Sequence, residues 1–126
     1  MATTLFNKLW QEHEVTTLSE RQSLLYIDRI FLHERTGSVA LNGLLEKNRT
    51  VRRREHTFCT MDHIVDTFPG RGDDTLMSSG RDFIVATRHA AHETGIQLFD
   101  ITDADQGIVH VISPELGIAL PGSSLI

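Results

Sequence analysis

The sequence predicts an α/β fold built on a largely parallel sheet. Two observations carry this. Short apolar runs rich in β-branched and aromatic residues alternate with longer stretches of helical period. Chemistry-bearing residues, Asp62-His63 and His33-Glu34, directly follow such runs, where open α/β sheets collect their functional groups.

Residues 3–14 read as an amphipathic helix, with Leu5, Phe6, Leu9, Trp10 and His13 on one stripe and Asn7, Lys8, Gln11 and Glu12 opposite. Thr3 or Thr4 is its candidate cap. Leu24 to Ile27 read as a buried strand, and Ile30-Phe31-Leu32 as another strand-like run. A second helix is expected over 37–47, with Ala40, Leu41, Leu44 and Leu45 facing inward and Thr36 or Ser38 as cap. Gly43 weakens that helix by about 1 kcal/mol relative to Ala.

Thr57 to Met61 have strand composition. Residues 66–80, with Pro69, Gly70, Gly72 and Gly80, form a loop. A third helix spans 81–94, with Phe83, Ile84, Thr87, Ala90 and Ala91 inward and Gly95 as its stop. Ile96 begins a further strand. Residues 107–112 are a short apolar piece, and Ser123 to Ile126 read as the start of a buried strand.

At 126 residues with 40% hydrophobic content, the chain is expected to form one domain over 1–126 with a single core. Lys and Arg number 12 against 17 Asp and Glu, a net charge of −5 that argues against a nucleic-acid partner. Arg52-Arg53-Arg54, the longest basic run, reads as a solvated edge. The lone Cys59 excludes an internal disulfide, suits a reducing, cytoplasmic compartment, and reads as a small core residue. No apolar run approaches the roughly 20 residues that span a bilayer, so no membrane association is expected.

An adjacent carboxylate and imidazole can divide a proton-transfer task, so Asp62-His63 reads either as such a pair or as a turn whose Asp caps the next segment. His110, between Val109 and Val111, reads as a core histidine ahead of an active-site one. His33-Glu34 reads as simple polarity at a helix entry. His89 and His92 share a helix face at metal-ligand spacing, yet with no third ligand nearby they read as solvent-exposed, and no metal site is expected. Neither a glycine-rich phosphate loop nor a nucleophile elbow is present.

In order and spacing, several segments resemble the start of the large subunits of 3-isopropylmalate dehydratases, a branch of the aconitase superfamily. They are Thr4-Leu-Phe-Asn-Lys-Leu-Trp, Leu25-Tyr-Ile-Asp-Arg with His33-Glu34, Val51-Arg-Arg, Thr60-Met-Asp-His, Gly95-Ile-Gln-Leu-Phe-Asp, Gln106-Gly-Ile-Val-His-Val-Ile-Ser-Pro-Glu and Leu120-Pro-Gly. The resemblance implies a three-layer α/β/α domain of aconitase type, present here as its N-terminal portion. It implies a hydro-lyase that isomerises 2- and 3-isopropylmalate in leucine biosynthesis, using a four-iron–four-sulfur cluster and a small subunit carrying the swivel domain.

By motif position, His63 corresponds to the proton donor to the departing hydroxyl and Asp62 to its orienting partner. His110 corresponds to a histidine that contacts the hydroxyl or water. His33 stands where the family places a substrate contact, a glutamine in the aconitases proper. The family's Asp-Ser-His motif and cluster cysteines fall beyond Ile126, and Cys59 is not at a ligand position. The chain is therefore expected to be a truncated piece, inactive and free of cluster by itself. A sibling hydro-lyase (aconitase, homoaconitase, methylmalate or dimethylmalate dehydratase) and a non-catalytic module binding a small subunit are the alternatives.

Overall fold

Period-two alternation in three short strands builds the centre of the molecule, which a computed structural model describes over residues 3–126. Strands β3 (Ile30–His33), β4 (Thr57–Thr60) and β5 (Gln97–Phe99) run parallel in the order β3-β4-β5. The register pairs Phe31 with Phe58 and His33 with Thr60, then Cys59 with Leu98 and Thr60 with Phe99. Alternate residues thus serve opposite faces.

One face carries Phe31, Phe58 and Phe99, whose rings lie 5.9–6.1 Å apart around Phe31 and pack with Ile112 and Ile118. The other carries Leu32, Cys59 and Leu98 against Leu41, Ala90, Ala91 and Ile96. Helices α2 (Gly37–Leu45) and α3 (Gly80–Thr94) cover that second face, and α4 (Val109–Glu115) covers the first. The result is a three-layer α/β/α arrangement: the alternating pattern predicts the α/β layering on a parallel sheet, and the resemblance implies the three layers.

Helix α3 follows its sequence closely. Ile84, Thr87, Ala90, Ala91 and Thr94 are buried, and Gly95 ends it at φ +69°, where a Cβ would be strained. In α2 the inward residues are Gly37, Ser38 and Leu41, while Ala40 is exposed. Gly37 lets α2 approach the sheet, since a Cβ there would lie 3.3 Å from Leu32 Cβ.

The N-terminal third departs from expectation. Helix α1 (Leu5–His13) forms, and the Thr4 hydroxyl accepts the Asn7 N–H, but Leu5 and Phe6 are 72% and 66% exposed. Leu24 to Ile27 are not a buried strand of the main sheet. β2 (Gln22–Leu25) pairs antiparallel with β1 (Glu14–Ser19) in a two-stranded ribbon, leaving Leu24 and Tyr26 exposed. The β-branched run Val15-Thr16-Thr17, closed by a turn at Glu20-Arg21, supplies the local partner. His13 ties α1 to the sheet's entry, with Nε2 2.7 Å from Asp28.

The segment from Ser123 lies beside β3: the Arg29 carbonyl accepts the Ile126 N–H, and the Phe31 N–H donates to Ile126 O. Leu125 and Ile126 remain exposed, so the expected buried strand is an edge pairing instead. Among the described residues, no helix is long and apolar enough to cross a membrane.

Candidate active site

Parallel strands present the ends of their chains at one edge, so the residues after β3, β4 and β5 meet there. β3 delivers His33 and Glu34, and β4 delivers Asp62 and His63, two and three residues beyond its last paired position. The His33–Thr60 register sets these two dipeptides side by side.

Asp62 and His63 form a hydrogen-bonded pair. His63 Nδ1 lies 2.6 Å from Asp62 Oδ1, with the carboxylate side chain 2% exposed and the imidazole 42% exposed. Accepting at Oδ1 favours the tautomer with hydrogen on Nδ1, which leaves the ring's lone pair on Nε2. The second oxygen, Oδ2, accepts the Val109 N–H at 2.8 Å, the first residue of α4. One carboxylate thus holds the imidazole at Oδ1 and, instead of capping the segment that follows it, accepts from the start of a helix 47 residues away.

His33 stacks on His63, ring centroids 3.8 Å apart and planes 16° from parallel. Burial, helped by the nearby charge of His63, pushes the His33 imidazole below its ordinary range. Among the described residues its buried Nδ1 has no hydrogen-bond partner, and Nε2 lies 3.4 Å from the Thr36 hydroxyl. His33 is the more buried ring, under the outer, wetter imidazole of His63.

Glu34 is not simple helix-entry polarity, because it is completely buried. Its Oε2 accepts the Asp62 N–H at 3.0 Å, while Oε1 accepts the N–H groups of His63, at 2.7 Å, and Ile64. The sequence signal available was a carboxylate directly after one strand, beside another strand ending in Asp-His.

Among the described residues, His33, Glu34 and His63 bring ligand-type atoms within 4.8 Å of one another. They do not form a metal cage. Both Glu34 oxygens already accept main-chain N–H groups, and the lone pairs of nearly parallel stacked rings do not converge on one ion.

The loop after β5 closes over the end of β4. Gln106 Nε2 donates to Met61 O at 2.5 Å, and the Thr60 hydroxyl donates to Gly107 O at 2.9 Å. Arg71 reaches Gln106 Oε1 from the 66–80 segment. Arg88 on α3 bonds both oxygens of Asp73 and of Asp100, holding both carboxyls below the usual range and fixing that loop. A cavity of about 170 Å³ opens beside Asp62, lined by Arg71, Gln106 and Ile108. A larger apolar hollow, near 380 Å³, is lined by Tyr26, Ile30 and Thr57 at the opposite, N-terminal ends of the strands.

His110 is not a core histidine. Residues 109–115 are helical, His110 is exposed in the first turn of α4, and Ile112 is the residue that turns inward. The Asp62 cap on Val109 offsets the strand tendency of this β-branched run. It also brings the His110 backbone next to the Asp62–His63 pair. His89 and His92 lie exposed on α3.

Cys59 has no place in this site. It is fully buried beneath α2 and α3, and burial pushes its thiol up to about 12. That setting does not fit an iron–sulfur ligand, whose sulfur must be a thiolate facing the cluster.

A family model described as "Aconitase family (aconitate hydratase)" matches residues 7–126. Over 123 residues the chain is 41% identical to the 3-isopropylmalate dehydratase large subunit 1 of Bradyrhizobium diazoefficiens, covering 98% of this chain and 25% of that protein. Over 124 residues it is 42% identical to the 3-isopropylmalate dehydratase large subunit of Oceanobacillus iheyensis, covering 98% and 26% respectively. The chain spans about a quarter of the length of these curated relatives. No solved structure is similar enough to match.

Proposed function

The chain belongs to the aconitase family, and on that premise we propose that it forms the proton-donating wall of a 3-isopropylmalate dehydratase active site. The single observation that carries this reading is the 2.6 Å bond between Asp62 and His63 at the C-terminal edge of the sheet, with His33 stacked against the imidazole.

The reaction class is reversible dehydration. A C–O bond breaks as the departing hydroxyl gains a proton, a neighbouring carbon gives up its proton to a base, and water re-adds with the opposite regiochemistry. In this chain's share, the His63 imidazolium gives its Nε2 proton to the departing hydroxyl and keeps the Nδ1–H on Asp62. The neutral product is then the tautomer that Asp62 already favours, so donation needs no ring rotation. On rehydration the same nitrogen takes a proton from the incoming water.

His33 presents a partly covered edge for a substrate polar group, and His110 faces the hydroxyl or water from the first turn of α4. The base that takes the carbon-bound proton and the cluster's cysteines are not among these residues. They belong to the remaining three quarters of a large subunit, completed by a small subunit, in the cytoplasm.

A hybrid tests this directly. This chain replaces the matching quarter of the Oceanobacillus iheyensis large subunit, which is paired with its small subunit. Interconversion of 2- and 3-isopropylmalate by the hybrid supports the reading. A hybrid that assembles and carries its iron but turns over neither compound contradicts it, and preference for citrate moves the chain to a sibling hydro-lyase. Alone, the chain treated anaerobically with iron and sulfide is expected to stay colourless and inactive.

A further inference from the structure

We propose that Glu34 is the positioning residue of this site: its buried carboxylate holds the main chain of Asp62, His63 and Ile64 and so sets where the Asp62–His63 pair faces. The inference rests on the proton-transfer reading of that pair, and it adds a residue outside the pair itself.

Three consecutive N–H groups converge on one side chain. They are shared between both carboxylate oxygens, Oε2 taking Asp62 and Oε1 taking His63 and Ile64. Only a carboxylate meets this demand, because an amide would set an NH₂ donor against one of the N–H groups. A buried carboxylate is costly unless its oxygens are satisfied, and here three main-chain donors satisfy them.

The clamp is anchored behind. The Glu34 carbonyl accepts the hydroxyl of Thr87, a buried residue of α3, at 3.0 Å. A continuous path therefore runs from α3 through Glu34 to the 62–64 turn, and on through Asp62 Oδ2 to Val109 of α4. His33 and Glu34 act on the same target from adjacent positions: one covers the His63 ring, and the other holds its peptide. If the turn is released, Asp62 Oδ1 and His63 Nδ1 lose their alignment, and the imidazole loses its fixed tautomer.

NMR on the full 126-residue chain tests this. In the wild-type chain the amide protons of Asp62, His63 and Ile64 are expected to exchange slowly, and the ring nitrogens of His63 to report hydrogen on Nδ1. Glu34→Gln is expected to speed exchange at these three amides by about tenfold or more, as losing bonds to a charged acceptor implies, and to move the His63 ring signals toward the Nε2–H form. Thr87→Val, which removes the anchor but leaves the carboxylate in place, is expected to move the same amide and ring signals in the same direction by less than Glu34→Gln.

Should Glu34→Gln not fold, Glu34→Asp, which withdraws both oxygens by one methylene, is read by the same two signals. A folded Glu34 variant with wild-type ring signals overturns the proposal, as do wild-type amides at 62–64 that exchange like an open loop. Failure of the catalytic reading is separate: it would appear as full turnover of a His63→Ala hybrid while these NMR signatures stand.

Discussion

The imidazoles of His33 and His63 stack at 3.8 Å, so a proton on one ring opposes a proton on the other. Burial and the charge of His63 both lower the affinity of His33 for a proton. NMR titration is expected to find His33 below the ordinary imidazole value of about 6.5. His63→Ala is expected to raise it partway, leaving the contribution of burial. The folded value lies below the unfolded one, so this histidine favours the fold above the ordinary range. That contribution is lost as pH falls through the folded value. A His33 that titrates normally, or is indifferent to His63→Ala, would contradict the stack.

Asp62 serves two partners with one carboxylate, His63 at Oδ1 and Val109 at Oδ2. Asp62→Ala is expected to cost about 0.5–2 kcal/mol, the range for losing a side-chain acceptor at a helix start. Amide exchange should rise at Val109, while β3 and β5 keep their protection. Asp62→Asn retains one acceptor and should cost less. Denaturant midpoints with residue-level exchange measure both, and an unchanged midpoint for Asp62→Ala would refute the capping role.

Two glycines predict opposite signs. A Cβ on Gly80 would lie 2.8 Å from Ile64 Cγ2 and overlap the Thr75 hydroxyl, so Gly80→Ala is expected to destabilise by about 1–3 kcal/mol through overpacking. The strain falls on the residue that follows His63. A Cβ on Gly43 in α2 meets nothing within 4 Å, so Gly43→Ala should stabilise by up to about 1 kcal/mol. Thermal melts of the two variants distinguish them, and a shared sign would refute the packing assigned here.

The Cys59 thiol, pushed up to about 12 beneath α2 and α3, should resist alkylation at neutral pH until the chain unfolds. Modification rates with and without denaturant measure this. Rapid labelling of the folded chain would place Cys59 outside the core.

Local pattern made some of this legible from sequence. The period of residues 81–94 and the stop at Gly95 locate α3, and β-branched composition locates β4. The Asp62-His63 position at a strand's end was likewise visible. What escaped depends on distant partners. The β1–β2 ribbon needed the pairing of Thr16 with Leu24, and α4 needed a carboxylate from residue 62 to cap Val109. Glu34 escaped because its meaning lies in three N–H groups 28 to 30 residues away. The stripe of α1 misled differently: periodicity shows that Leu5 and Phe6 share a face, not that anything covers it.

The most direct measurement compares turnover and bound iron in the hybrid large subunit with and without His63→Ala. If His63 delivers the proton, kcat should fall by about 10²- to 10⁴-fold, the usual share of a general acid, with iron content unchanged. Turnover near the wild-type level, or a loss of activity that tracks a loss of iron, would show that the imidazole held by Asp62 is not the donor.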